Sequence, residues 1–207
     1  MNYFFKILFG VLMWMLTVSA QANGVFPLTL SVIPNQSTVN LGSPLSVNVV
    51  ISSIDNFDFT LGGFDIDLAY DTSVLELTGI SFGSALGDES LLESVTDSSA
   101  STSGTANLTE LSFLEASASD CVFCLAPYLQ DLQGNSFILV SLTFDSIGTG
   151  NSGFDLNINV LSDGYANPLD ANKNVNQAQI TSVPLPAAIW LFASMLPLIG
   201  WKRKTVI

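Results

Sequence analysis

The stretch LGGFDIDLAYDTSVLELTGISFG, Leu61 to Gly83, decides the fold. Phe64, Ile66, Leu68 and Tyr70 fall on one side of an extended chain, with Asp65 and Asp67 on the other. A period of two with one apolar side is the mark of a half-buried antiparallel strand. Tyr70-Asp71 then leads through a turn into a second strand, Val74 to Ile80, with Gly62-Gly63 and Gly79 read as turn residues.

Working outward, the same alternation recurs in Leu45, Val47, Val49 and Ile51 against Ser46, Asn48 and Ser52, and in Phe154, Leu156, Ile158 and Val160 against Asp155, Asn157 and Asn159. Phe137 to Phe144, FILVSLTF, is apolar on both sides at its start and is read as a central strand. Leu28 to Ile33 and Ala178 to Thr181 complete a set of seven short strands. The turns between them fall at Pro34-Asn35, Leu41-Gly42, Gly148 to Gly153 and Asp163-Gly164. Strands with one wet face each must bury the other against a second sheet, so the expected architecture is an all-β, antiparallel β-sandwich or jelly roll. Leu86 to Tyr128 interrupts the pattern, with a short helix expected at Glu89 to Val95 and a flexible polar loop at Asp97 to Gly104, DSSASTSG.

Leu61 to Gly83 resembles the cohesin signature, in which a strand ending in Tyr-Asp, here Tyr70-Asp71, turns into a Val-Leu-Glu strand, here Val74-Leu75-Glu76. Phe137 to Asp170 is similar to the closing part of that domain: a core strand, a Gly-rich turn, an alternating strand and an Asn-Pro turn. Cohesins are jelly-roll sandwiches whose outer sheet face binds dockerin modules, and their wider superfamily includes carbohydrate-binding modules. The resemblance therefore implies a non-catalytic interaction module.

The charge distribution narrows the chemistry. Between Asn23 and Ser182 one lysine, Lys173, stands against all eighteen acids, a net charge of −17. That field repels phosphates and argues against nucleic acid as a partner. There is no histidine, which removes the commonest general base and the Ser-His-Asp arrangement. Asp65 and Asp67, with Asp58 ahead of them, are the pair a glycosidase would need, but acids on the wet face of a sheet are ordinarily just solvated.

Cys121-Val122-Phe123-Cys124 is read as a local disulfide in an oxidising compartment, with a redox pair, a half zinc site and free thiols as alternatives. No cofactor is expected apart from calcium, for which loop carboxylates such as Asp163 and Asp170 are weak candidates. Asp170-x-Asn172-x-Asn174 starts like a calcium loop but has Val175 and Thr181 where glycine and a carboxylate are required. Sugar binding, the alternative function, would draw on Tyr70, Tyr128 and Tyr165, since Trp14, Trp190 and Trp201 all lie in the ends of the chain. Of these, Tyr70 falls on the core side of its strand.

The N-terminus carries Lys6, an apolar run from Ile7 to Val18 and Ala20-Gln21-Ala22, the parts of a secretory signal peptide cleaved after Ala22. At the other end, Val183 to Trp201 holds no charge and as a helix would reach about 28 Å, just enough to cross a bilayer. Lys202, Arg203 and Lys204 follow and place the acidic domain outside. Hydropathy alone does not separate a retained anchor from a removable label. The order of Val183-Pro184-Leu185-Pro186-Ala187, apolar span and basic cluster resembles the VPLPA variant of the PEP-CTERM sorting signals. These are processed by exosortases, membrane cysteine transpeptidases of Gram-negative bacteria that make exopolysaccharide.

The expected organisation is a signal peptide over 1–22, a cohesin-like sandwich over 23–182 and a sorting signal over 183–207, with its helix at 185–201 and basic tail at 202–204. The expected protein is not an enzyme. It is exported by Sec, held in the inner membrane by its C-terminal helix, processed by an exosortase and delivered to the cell surface or extracellular matrix. There an extracellular protein or polysaccharide is its partner.

Overall fold

A computed structural model of the 207-residue chain describes residues 28–54, 59–120, 125–175 and 179–184. The expected signal peptide, the Cys121–Cys124 pair and the tail from Leu185 onward lie outside the described residues.

Among the described residues twelve strands follow one another: β1 (Thr29–Pro34), β2 (Thr38–Asn40), β3 (Pro44–Ser52), β4 (Leu61–Ala69), β5 (Leu75–Phe82), β6 (Ser94–Ala100), β7 (Thr105–Ser112), β8 (Ser136–Ser146), β9 (Gly150–Gly153), β10 (Asp155–Asp163), β11 (Asn172–Asn174) and β12 (Gln179–Val183). One sheet has the order β11-β1-β3-β8-β5, a second β10-β4-β7-β6, and a small third β2-β12-β9. Pairing is antiparallel except for β1 with β11 and β12 with β2.

The two larger sheets bury the apolar sides that the alternation marks. Val47, Val49 and Ile51 from β3, Leu142 and Phe144 from β8, and Ile66, Leu68 and Leu108 from β4 and β7 are all fully buried in one cluster. Rings tie the layers: Phe144 lies 5.0 Å edge-on from Tyr70 and 5.6 Å from Phe154, and Phe64 lies 6.4 Å from Phe82. Tyr70 thus sits on the core side, as its place in the strand predicts, and β8 lies between β3 and β5 as expected of a central strand.

Local expectations differ in four places. The segment Glu89 to Val95 is not a helix: a single 3-10 turn, Glu89–Leu91, is capped by Asp88, whose Oδ1 accepts from the Ser90 N–H, and β6 begins at Ser94. Asp97 to Gly104 is not a loop. Its first half completes β6, paired residue for residue with β7, and only the turn at 101–104 remains. An edge strand exposed on both sides near its tip can be built from Ser, Asp and Ala, so composition alone reads it as loop. Gly150 to Gly153, expected in a turn, is strand β9.

The fourth difference concerns the glycines. Gly62, Gly63 and Gly79 lie inside β4 and β5. At Gly62 a Cβ would come within 2.3 Å of the Asp163 carbonyl oxygen, so glycine is needed for close approach of β10. Gly79 marks a register shift of β5 against β8.

The segment between β7 and β8 carries the four-residue helix α1 (Leu129–Leu132) and is pinned by Gln133. The Gln133 amide takes both backbone groups of Leu61, accepting its N–H at 2.7 Å and donating to its carbonyl at 2.7 Å, and also donates to Ala85 at 3.2 Å. It extends the hydrogen bonding of β4 where no strand is available.

Candidate interaction face

The outward side of β10-β4-β7-β6 combines two chemistries. At its centre β4 places Asp65 and Asp67 two residues apart, hence on one face. Asn107, opposite Asp67 on β7, donates to Asp65 Oδ1 at 2.7 Å and to Asp67 Oδ1 at 2.9 Å. From the other flank Asn159 donates to Asp65 Oδ1 at 3.1 Å and to Asp67 Oδ2 at 3.0 Å, and Asn157 donates to Asn159 Oδ1 at 2.7 Å. A register shift in β10 between Ile158 and Val160 makes this arrangement: both Asn159 and Val160 end up exposed while Ile158 and Leu161 turn to the core.

Hydrogen bonds from Asn107 and then Asn159 outweigh partial burial and hold the Asp67 carboxyl below its ordinary value. A depressed carboxyl stabilises the fold above the unfolded-state pKa, and that contribution is lost as pH falls through the lower folded value. Asp67 is therefore ionised at neutral pH, and both acids are held in a fixed lattice of amides.

Toward the other end of the same face the surface turns apolar. Val95 on β6 and Leu111 on β7 are direct cross-strand partners and remain 45 % and 48 % exposed. Leu111 also pairs with Gly63, and a Cβ there would press to 3.0 Å on Leu111 Cδ1, so the glycine gives the leucine room to lie across β4. Phe113, 63 % exposed, continues the strip past the end of β7, and Leu91 and Leu92 stand exposed in the adjoining turn. A flat sheet face with an ionised, amide-held centre and an apolar margin suits recognition of a macromolecular surface.

Other sequence candidates are used differently. Asp163 is buried, which by itself would raise its pKa. Hydrogen bonds from Asn167 Nδ2 at 2.9 Å, Asn167 N at 2.8 Å and Tyr165 N at 2.9 Å outweigh burial and leave its carboxyl below the ordinary range. Both of its oxygens thus structure the turn after β10, while Asp170 is exposed. Among the described residues no group of three or more acidic or cysteine side chains converges as a metal site. Tyr165, 57 % exposed, directs its hydroxyl to Asp120 at 3.1 Å, and Tyr128 precedes α1. The three tyrosines are therefore not gathered into one platform, Tyr70 being in the core.

Val183, the first residue of the expected sorting motif, is the last residue of β12; it pairs with Asn40, and its carbonyl accepts from Leu41 N at 2.8 Å. Pro184 is exposed directly after it. No helix among the described residues is long and apolar enough to cross a membrane.

The fold is that of solved cohesin modules. A type II cohesin domain from the cellulosome of Acetivibrio cellulolyticus aligns with a TM-score of 0.56 at 15 % identity, over 74 % of this chain and 95 % of that one. The cohesin module of a Clostridium perfringens family 33 glycoside hydrolase aligns with a TM-score of 0.55 at 12 % identity, over 77 % and 98 %. A cohesin from Clostridium thermocellum, solved in a type I cohesin–dockerin complex, gives 0.53 at 14 % identity, over 77 % and 95 %. No family model and no curated protein matches the chain.

Proposed function

We propose that this chain is a non-catalytic, exported interaction module that binds a protein partner through the outward face of β10-β4-β7-β6. The observation that carries the reading is the joining, on one face, of the Asp65–Asp67–Asn107–Asn159 lattice to the exposed Val95–Leu111–Phe113 strip. It is supported by a shared fold with modules, some of them solved bound to dockerins. Such a partner would meet the Asp65 and Asp67 carboxyl groups with basic or amide groups and bury its own apolar anchor on Leu111.

Replacing Val95 and Leu111 together by Arg tests this. Both side chains are exposed, so folding is expected to persist. Affinity for the partner is expected to fall at least about tenfold, the scale of a lost apolar anchor. Unchanged binding would contradict the assignment, as would saturable polysaccharide binding that is lost on Tyr165→Ala.

The sorting of the chain belongs to the same proposal: Sec export, brief anchoring in the inner membrane, then exosortase processing at the VPLPA motif and release to the cell surface or matrix of a Gram-negative bacterium. With β12 ending at Val183, the processing site would lie immediately outside the fold. Intact mass of the protein from cells with and without the transpeptidase is expected to show loss of the residues beyond the motif only when the enzyme is present. Retention of Trp201 to Ile207 in both would establish a permanent anchor.

A further inference from the structure

β5 and β6 are the edges of the two large sheets on the same open side of the sandwich, and a cavity of about 480 Å³ lies between them. One wall is apolar, formed by Ile80 and Phe82, and Phe82 is backed by Phe64. The facing wall is built from Ser94, Thr96 and Ser98, alternate residues of β6, with Glu110 of β7 at its base and Glu89 and Asp88 of the 3-10 turn at its rim.

Glu110 is out of place by the rules of the fold. In β7 it shares the inward side with Ala106 and Leu108, and it is only 2 % exposed. Its Oε2 has no hydrogen-bond partner, nor does the Oγ of Ser94, itself 3 % exposed. Buried polar atoms are almost always paired, so two orphans lining one cavity point to a ligand that completes them.

The lining selects the ligand. It holds three carboxylates and four hydroxyls, and no basic side chain, so an anion has no counter-charge there. The carboxylates do not converge as a metal site. A donor-rich cation on an aliphatic stem fits both walls, the head among acceptors and the stem along Ile80 and Phe82. We propose that this cavity binds an alkyl primary ammonium group, with Glu110 as its counter-ion. The site is separate from the outward face and does not depend on the docking reading.

Ion pairing requires Glu110 to be ionised. Burial raises its carboxyl to about 7 in the free protein, with Ser94 counteracting and Glu89 adding to the rise. The charged groups facing it are Glu89 and Asp88 from the turn, with none from β5 or β6. Ammonium binding therefore tightens as pH rises through neutrality.

The test is calorimetric titration of the full chain in non-ionic detergent and amine-free buffer, with n-pentylammonium and with an N-acetyl-lysine-amide peptide as probes. Saturable binding of either probe is expected, about tenfold weaker at pH 6 than at pH 8 and at least about tenfold weaker in Glu110→Gln at pH 8. The probe that binds tighter identifies the source, a free amine or a partner's lysine side chain. The proposal is overturned by absence of binding in the wild type, by equal affinity in Glu110→Gln or at both pH values, or by equal binding of calcium or a neutral sugar. Because Glu110→Gln removes charge but keeps shape, its circular dichroism and cooperative unfolding confirm that any loss is local.

Discussion

Phe144→Ala is expected to lower stability by about 3–5 kcal/mol, the cost of truncating a fully enclosed aromatic side chain. Phe144 is wholly buried in the interior strand β8, and its ring meets Tyr70 at the end of β4 and Phe154 at the entrance to β10. The ring therefore joins one sheet to the other at the place where the sandwich is held shut. A loss of that size removes a fifth or more of the roughly 5–15 kcal/mol available to a domain of this kind. Phe144→Leu, which keeps most of the volume, is expected to cost less than half as much. Urea unfolding followed by far-ultraviolet circular dichroism measures both; a Phe144→Ala midpoint equal to that of the wild type would contradict the packing described.

Glu110→Gln is expected to stabilise the protein in alkaline solution and to leave it nearly unchanged in acid. The folded protein holds the Glu110 proton up to about pH 7, whereas an ordinary glutamate, at 4.5, releases it earlier. Between those values the native state binds more protons than the unfolded one, so wild-type stability falls as pH rises across the window. The raised pKa corresponds to about 3 kcal/mol, fully expressed by pH 8 and absent at pH 4. Glutamine has no such titration. The stability difference between variant and wild type should therefore grow by about that amount from pH 4 to pH 8 in amine-free buffer. Parallel pH profiles would show that Glu110 is not the buried acid described. The depressed carboxyls of Asp67 and Asp163 act in the opposite direction, removing stability as pH falls, and are common to both proteins.

The reading of the fold from sequence succeeded where a strand is wet on one side only. β3, β4 and β10 announce themselves because most apolar residues fall on the buried side and most polar ones outside; β10 departs from this at Val160, expected on the core side but turned out by the register shift, and at Asp163, which is buried. β6 fails the same reading because its outer half is exposed on both sides, so Ser, Asp and Ala satisfy it and no period is written. Gly62 was open to misreading for a related reason: a glycine needed for close approach to Asp163 looks the same in sequence as one needed for a turn.

The candidate site was legible in part. Asp65 and Asp67 stand out in FDIDL, but Asn107 and Asn159, which fix them, come from strands about 40 and 90 positions away, and only the pairing shows them together. Val95 and Leu111 likewise become neighbours only once β6 and β7 are recognised as a hairpin. Glu110 had one available signal. Read at period two, ANLTEL places Ala106, Leu108 and Glu110 on one side, an acid where the pattern calls for an apolar residue. That break in local consistency coincides with the cavity, as expected where function competes with packing.

The docking account is tested most directly by placing a photo-crosslinking amino acid in the full chain, in its producing cell, at Leu111 on the four-stranded sheet or at Thr143, exposed on the five-stranded one. The account predicts one discrete protein adduct from position 111, lost when Asp65 and Asp67 are replaced by Lys, and none from position 143. Adducts from 143 alone, or equally from both positions, would contradict it.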